Sequence, residues 1–565
     1  MNTLRCGAIL IVLAIITGTH SQARSDDQVA VPVFTPYMGI AADFSPSWSP
    51  DGGRLVYASR AGAATNLYVV SSSGGTPVSL THDQYINTQP DWSRDGRRIV
   101  FSSNRGGSSQ IWSMSADGAD LRQLTNLNGF CVQPRWSPDG QQVAFVAYPG
   151  PRVMLVASSG GEAREFARGL WPAWSNDGKQ IAYAVASLTG TTSMIAIRTV
   201  DSNQERKLKS SPAMSMGGQV DWSPDDQRLL CVALINGSSQ VLVLNIMQDK
   251  VESTTHVDGS LYNPHWSPDG KLMAFTFTNT GYPAAIQKAD SNGDHKYEIT
   301  KHRTYTTAQA VSYKSADGLE IPSYLFLPKE PAQEKRPALV WLHGGLGGLY
   351  EKRFDAQVQY FVDQGFIVLV PNYRSSGGFN QELARIDASG QKELEDVLAG
   401  VEYLRRTPSV DTAHVGVIGF SFGGLVTLYA ITHTPELFAA AVDFFGPTDL
   451  ATWYRDTPNS RAALMFGLGG TPEQKPEDYR AASPVNFVER IKTPLLIVHG
   501  DADMDVPVSQ ATEMADALKR AHKDYELIIV RGGDHGFVRT GLADAMQDAL
   551  RFLSARLRSN RTSAH

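Results

Sequence analysis

Two domains of different class are predicted by this sequence: an all-β propeller of six blades, then an α/β domain with a doubly wound, mostly parallel sheet. Three observations carry that reading. A chain of 565 residues exceeds what one ordinary hydrophobic core supports. A Trp-Ser-x-Asp-Gly signature recurs from Trp48 to Trp266 and then stops. Beyond about residue 305, continuous apolar strands alternate with amphipathic helical stretches. The expected division is a leader over 1–23, an N-terminal segment over 24–43, the propeller over 44–304 and the α/β domain over 305–560.

The first residues read MNTLRCGAILIVLAIITGTHSQARSDD. One arginine precedes an apolar run from Cys6 to Ile16, and Ser21-Gln22-Ala23 fits a small-x-small cleavage site. The run is too short to span a bilayer, which makes it a signal peptide, and the mature protein is expected to be exported to the periplasm or secreted. No other long apolar run occurs, so no membrane partner is expected beyond the leader. A net charge of −6 without long basic or acidic runs argues against nucleic acid as a partner. Cys6 leaves with the leader. Cys131 and Cys231 lie far apart in different repeats and read as separate buried thiols, although export would permit a disulfide.

The repeat appears as SWSPDG, DWSRDG, RWSPDG, AWSNDG, DWSPDD and HWSPDG, with tryptophans at 48, 92, 136, 174, 222 and 266. Their spacings are 44, 44, 38, 48 and 44, the period of propeller blades. Within one unit, Asp-Gly forms a tight turn in which glycine supplies a positive φ. The strand RRIVFSSN (97–104) follows, then SQIWSMSADG with a second Asp-Gly turn, then LRQLT. That makes four short strands per blade. One large ring per blade packs between neighbouring sheets, so these Trp and Asp residues read as structural. Six copies give six blades, with a degenerate seventh near either end left open.

Residues 309–328 read as a β-hairpin and KEPAQEKRP as a polar link. Buried strands follow at 338–342, 366–370, 415–419, 440–445, 495–499 and 526–530, with helices at 391–406 and 509–521 among them. Four chemistry-bearing segments come directly after strands: HGGLGG after 342, Ser421 after VGVIG, GDADMD after LLIVH, and RGGDHGF after ELIIV. In open α/β sheets, ligands sit beyond the carboxyl ends of strands. The order Ser, Asp, His is that of α/β-hydrolases. Ser421, in Gly419-Phe420-Ser421-Phe422-Gly423, is the expected nucleophile, because a sharp strand-to-helix turn needs small flanking residues and a helix N-terminus favours developing negative charge. Among the histidines, His343, His433, His499 and His522 are rivals. His535, in a late glycine-flanked loop, is placed to act as general base. Asp501, Asp503 and Asp505 alternate; one must orient the imidazole, and the others are expected to cap the following helix. A calcium loop starting at Asp501 fails, because Val506 and Thr512 stand where glycine and glutamate are required.

In order and spacing, HGGLGG, PNYRSSGGFN, ELEDVLAGVEYL, GFSFGG, SPVNF, TPLLIVHGDADMDVPVSQ and GGDHGF resemble the catalytic domain of the prolyl oligopeptidase family, nearest its acylaminoacyl-peptidase and dipeptidyl-peptidase-like branch. The repeats resemble the propeller of the Tol-system periplasmic protein. The resemblance implies that the acid is Asp503, last residue of His-Gly-x-x-Asp, and that the oxyanion hole is the backbone N–H of Phe422 and of Gly345. It implies a serine peptidase with an acyl-enzyme on Ser421, no metal or organic cofactor, short peptide substrates, and a propeller that restricts access to small or unfolded chains. Departures are Leu346 where proline is usual, Phe422 where tyrosine is usual, and RSSGGFN for a more usual Gly-Ser-x-Gly-Tyr-Gly. No Glu-Glu pair occurs, which disfavours dipeptidyl aminopeptidase activity. Trp453 and Tyr454 are candidates for an apolar S1 pocket. A carboxylesterase or other acyl hydrolase is the alternative on the same triad. A binding module with an inert hydrolase is a third class, opposed by the intact Ser421, Asp503 and His535. The P1 preference, exo- or endopeptidase mode and homo-oligomerisation stay open.

Overall fold

The Ser-x-Asp-Gly turn shapes every propeller repeat. In the computed structural model, which describes residues 33–186, 193–202, 204–210, 219–294, 296–330, 334–345, 347–537 and 540–558, Ser49 Oγ donates to Asp51 Oδ1 at 2.5 Å, and the same oxygen accepts the Gly53 N–H at 2.9 Å. The leader over 1–23, the start of the 24–43 segment and Leu346 lie outside the described residues. The Ser–Asp bond recurs in all six repeats, up to Ser267–Asp269 at 2.6 Å. Blade five has Asp226 in place of glycine. It takes the left-handed conformation at φ 56°, and its carboxylate accepts the N–H groups of Asn176 and Asp177 from blade four at 2.6 and 3.1 Å.

The repeats build six four-stranded antiparallel sheets, over residues 42–79, 87–123, 131–168, 170–207, 221–254 and 260–298. Apolar clusters fill each gap between neighbours. Trp92 packs between blades one and two, Trp136 between two and three, Trp222 between four and five, and Trp266 between five and six. The ring closes by the same means: Trp48, Leu55 and Tyr57 of blade one pack on Ala274, Ile286 and Ile299 of blade six. Cys131 and Cys231 are free thiols buried in different clusters.

Beyond the propeller, eight strands form one sheet: β1 (Gln309–Lys314), β2 (Glu320–Phe326), β3 (Arg336–Leu342), β4 (Ile367–Pro371), β5 (Val410–Phe420), β6 (Ala440–Phe444), β7 (Leu495–Gly500) and β8 (Tyr525–Val530). Their order is β1-β2-β4-β3-β5-β6-β7-β8. The hairpin β1–β2 and the β2–β4 pair are antiparallel, and every later pair is parallel. The parallel strands read as unbroken apolar runs because helices cover both faces; β4, β6 and β7 are buried throughout. Helices α1 (Ala356–Asp363), α2 (Gln391–Arg406), α3 (Phe422–His433), α4 (Leu450–Asp456), α5 (Arg461–Leu468), α6 (Pro476–Ala481), α7 (Ser509–Arg520) and α8 (Leu542–Leu557) accompany them. Helix α3 is apolar on all sides and buried from Phe422 to Thr432, as its place against the sheet centre requires. Residues Val33–His565 make one compact unit, and among the described residues no helix is long and apolar enough to cross a membrane.

Candidate active site

Ser421 stands between β5 and α3 with φ 54° and ψ −118°, a conformation that a non-glycine residue adopts only under constraint. The glycines around it admit the turn. A Cβ on Gly419 would lie 2.0 Å from the Gly423 carbonyl, and one on Gly423 would lie 2.3 Å from the Leu342 carbonyl. The Ser421 N–H donates to Phe444 O at 2.8 Å, which fixes the elbow to the end of β6.

His535 Nε2 lies 3.0 Å from Ser421 Oγ, and His535 Nδ1 lies 2.7 Å from Asp503 Oδ2. Phe445 packs edge-on against the imidazole with ring centroids 4.8 Å apart. The Asp503 carboxylate is buried, and its Oδ1 accepts the N–H groups of Asp505 and Val506, both at 2.9 Å. Burial works against that charge, yet the His535 bond and the two backbone donors hold Asp503 below the usual carboxylate range. A buried anion fixed on one ring nitrogen leaves the other to receive the hydroxyl proton of Ser421.

The flanking aspartates do something other than capping. Helix α7 has no side-chain cap. Asp501 Oδ1 accepts the Gly532 N–H at 2.6 Å, tying the acid loop to the histidine loop. Asp505 is exposed, and its backbone carbonyl accepts the Trp453 indole N–H at 2.8 Å. His499 shapes the same loop from beneath, its Nε2 lying 2.8 Å from Val506 O. His433 stacks on Tyr429 at the far end of α3, and His343 stacks on Tyr373. His522 ends the turn after α7 with φ 52°.

Phe422 begins α3 and Gly345 follows β3. Among the described residues neither N–H meets an acceptor. The chain at Gly344 runs close to the nucleophile: a Cβ there would lie 3.0 Å from Ser421 Cβ and 2.9 Å from Phe420 O. Trp453 and Tyr454 lie on α4. Trp453 is 8% exposed, and its indole N–H is turned to the acid loop, which it braces. Tyr454 is partly buried against Tyr479, with its hydroxyl 3.5 Å from Met465 Sδ.

One group at the site went unnoticed in the sequence. Asp443 is fully buried under the elbow; Oδ1 accepts the Gly446 N–H at 3.0 Å, while Oδ2 has no partner among the described residues. Burial pushes its carboxyl up to about 7. Its signal was a lone acid inside the apolar run AAVDFF.

A profile of the prolyl oligopeptidase family matches residues 352–560, and one of the TolB β-propeller domain matches 35–167 and 164–321. Residues 352–560 thus form a prolyl oligopeptidase family domain behind a TolB-type propeller. It is 24% identical over 339 residues to the uncharacterised peptidase YuxL of Bacillus subtilis, covering 57% of this chain and 50% of that protein. Identity to acylamino-acid-releasing enzyme 1 of Oryza sativa is 27% over 270 residues, covering 46% of this chain and 34% of that enzyme. The chain thus spans half or less of the length of these two relatives. Among solved structures, the uncomplexed acylaminoacyl peptidase of Pyrococcus horikoshii superposes with a TM-score of 0.74 at 17% identity, covering 94% of this chain and 99% of that one. A puromycin hydrolase superposes with a TM-score of 0.77 at 17% identity, covering 94% and 97%. At such identity the likeness speaks for the fold alone, over both the propeller and the hydrolase domain.

Proposed function

We propose that this chain is a serine peptidase that hydrolyses short peptides through an acyl-enzyme on Ser421. The observation that carries the reading is the continuous line from Asp503 through His535 to Ser421, at 2.7 and 3.0 Å. Ser421 Oγ attacks the scissile carbonyl carbon while its proton passes to His535 Nε2. The resulting oxyanion is held by the N–H groups of Phe422 and Gly345. Collapse of the tetrahedral intermediate returns the proton to the leaving amine, and a water activated by the same imidazole releases the acid product. Asp503 keeps the ring in the right tautomer and faces the imidazolium as it forms. The acylamino-acid-releasing and puromycin-hydrolysing relatives support peptide-like amides as substrates.

The propeller, on this reading, limits the site to small or unfolded chains. A fluorophosphonate probe should label Ser421, and Ser421→Ala should lose both labelling and turnover; labelling elsewhere sinks the assignment. A short-peptide library with free and blocked N-termini, run beside simple esters, then separates exopeptidase, endopeptidase and esterase activity. Turnover of esters alone would favour the acyl-hydrolase alternative. We also propose export through the apolar leader. Protein purified from its native host should begin near Arg24, and an intact Met1 would refute this.

A further inference from the structure

Blade five sends a two-residue hairpin turn, Asn236-Gly237, into the hydrolase domain. Both residues are left-handed, at φ 49° and 72°, as a tight hairpin demands. The Gly237 N–H donates to Gly378 O at 3.0 Å, and Gly237 O accepts the Lys352 N–H at 2.9 Å. One peptide turn therefore bridges two hydrolase loops. The fit is close: a Cβ on Gly237 would lie 2.3 Å from Phe379 Cζ, and one on Gly378 would lie 2.3 Å from Leu234 Cδ2 in blade five. Beside the turn, the Ser239 N–H donates to Glu351 Oε1 at 3.0 Å.

Those two loops form the wall that carries Gly345. Gly347 N–H donates to Ser375 O at 2.8 Å, and Gly348 N–H to Gly345 O and Gly377 N–H to Gly348 O, both at 3.0 Å. A continuous set of backbone bonds thus runs from the loop at 375–378 to Gly345, and Gly237 clasps its outer edge. Every residue between 344 and 348 is glycine except Leu346, so this segment has little stiffness of its own.

We propose that the blade-five turn is a positioning element for the oxyanion hole: docked, it holds the Gly345 N–H on the developing negative charge, and undocked, it releases that donor. The inference rests on the serine-peptidase reading. It makes the propeller a participant in chemistry, because the nucleophile elbow is fixed by the sheet while the second donor is fixed partly by the other domain. Loss of one oxyanion donor costs about 10²–10³ in kcat, so a loosened loop should cost roughly tenfold or more.

The test uses the full chain and a fluorophosphonate, with a small p-nitrophenyl ester as substrate. Phosphonylation of Ser421 forms the Oγ–P bond, expels fluoride and draws on the oxyanion hole whatever the natural substrate. Gly237→Ala should slow labelling and lower kcat with little change in KM. Glu351→Ala should do so more mildly, and Glu351→Gln, which keeps an acceptor for Ser239, should restore the rate. Gly62→Ala is the control: a left-handed glycine in the corresponding hairpin turn of blade one, at φ 72°, with nothing within 4 Å. It should label at the wild-type rate, and thermal melts report whether each variant is folded. Wild-type labelling by folded Gly237→Ala and Glu351→Ala, an equal fall in Gly62→Ala, or a change confined to KM would overturn the proposal. Failure of the wild-type chain itself to label would instead overturn the serine-hydrolase reading beneath it.

Discussion

Asp443 is a carboxyl with one N–H donor and, among the described residues, no counter-ion, packed against Gly424 and Gly446 beneath the nucleophile. Its value in the fold, about 7, exceeds the ordinary 3.8, so the fold favours the neutral acid. A raised folded value means stability fully present below the unfolded value and lost as pH rises through the folded one. Asp443→Asn keeps the acceptor for Gly446 and never ionises. The Tm of the wild type relative to this variant should therefore fall between about pH 4 and pH 7; a difference independent of pH would contradict the neutral-acid assignment. The acid loop gives a second prediction. Asp503→Asn removes the buried charge partner and favours the wrong tautomer, so kcat should drop by about 10⁴. Asp501→Asn keeps an acceptor for Gly532 and should be far milder; steady-state kinetics on the same peptide decide. Ser421 and His535 were legible because each sits in a glycine frame directly after a strand. The bond from Trp453 to Asp505 joins residues 52 apart, and that from Asp501 to Gly532 spans 31, so nothing local announces either. That is why the brace from Trp453 was not legible and the flanking aspartates read as caps.

At the scale of elements, the parallel strands were readable to within a residue or two at most ends, because burial on both faces demands unbroken apolar runs. Helix α2 runs from 391 to 406, as its amphipathic spacing predicts, since one face meets β5 and the other meets solvent. β5 begins earlier than expected, at Val410, where the polar stretch DTAH continues the strand outside the apolar core. The blades followed from the repeat, and the turn in blade five shows how far that repeat bends. Asp226 bears the strain of a left-handed residue and returns it through hydrogen bonds to Asn176 and Asp177. Asp226→Gly relieves the backbone but strips three charge-assisted bonds that link blades four and five. It should lower Tm, whereas Asp226→Asn, which keeps an acceptor and tolerates the left-handed region, should lower it less; a rise in Tm for the glycine variant would mean that strain outweighs capping.

On the serine-peptidase reading, a substrate would reach Ser421 either along the propeller axis or between the domains, and a cluster of charged side chains stands on the axis. Side chains from four blades meet there: Arg135 of blade three lies 3.5 Å from Asp91 of blade two, and His265 of blade six lies 3.6 Å from Asp91 and 3.8 Å from Asp221 of blade five. Burial disfavours a charged His265, but Asp221 and Asp91 outweigh it and hold the imidazole above its ordinary value, so the group favours a paired, locked state. Next to this plug, Gln133 N–H bonds Gln89 Oε1 at 2.8 Å, and Trp171 N–H bonds Gln133 Oε1 at 2.7 Å, stitching neighbouring inner strands. A cavity of about 10 Å³ lies among Gln89, Gln133, Arg135 and Trp171, whereas Asp91, Asp221 and His265 face a funnel of about 410 Å³ ringed by the repeat tryptophans. A space of that smaller size holds one water at most, and the ion-paired cluster beside it stands in the path of a peptide along the axis. Substrates should instead enter between the domains, away from the side pinned by the blade-five turn. The double variant Arg135→Ala/His265→Ala widens the axis without touching the triad. It should leave the upper length limit for peptide substrates where it was, because the widened passage is not the one in use. Hydrolysis of a graded series of unfolded peptides, from four residues to thirty, measures that limit directly. Selective gain on the longest members would show that substrates travel down the propeller, and the charged plug would then be the filter.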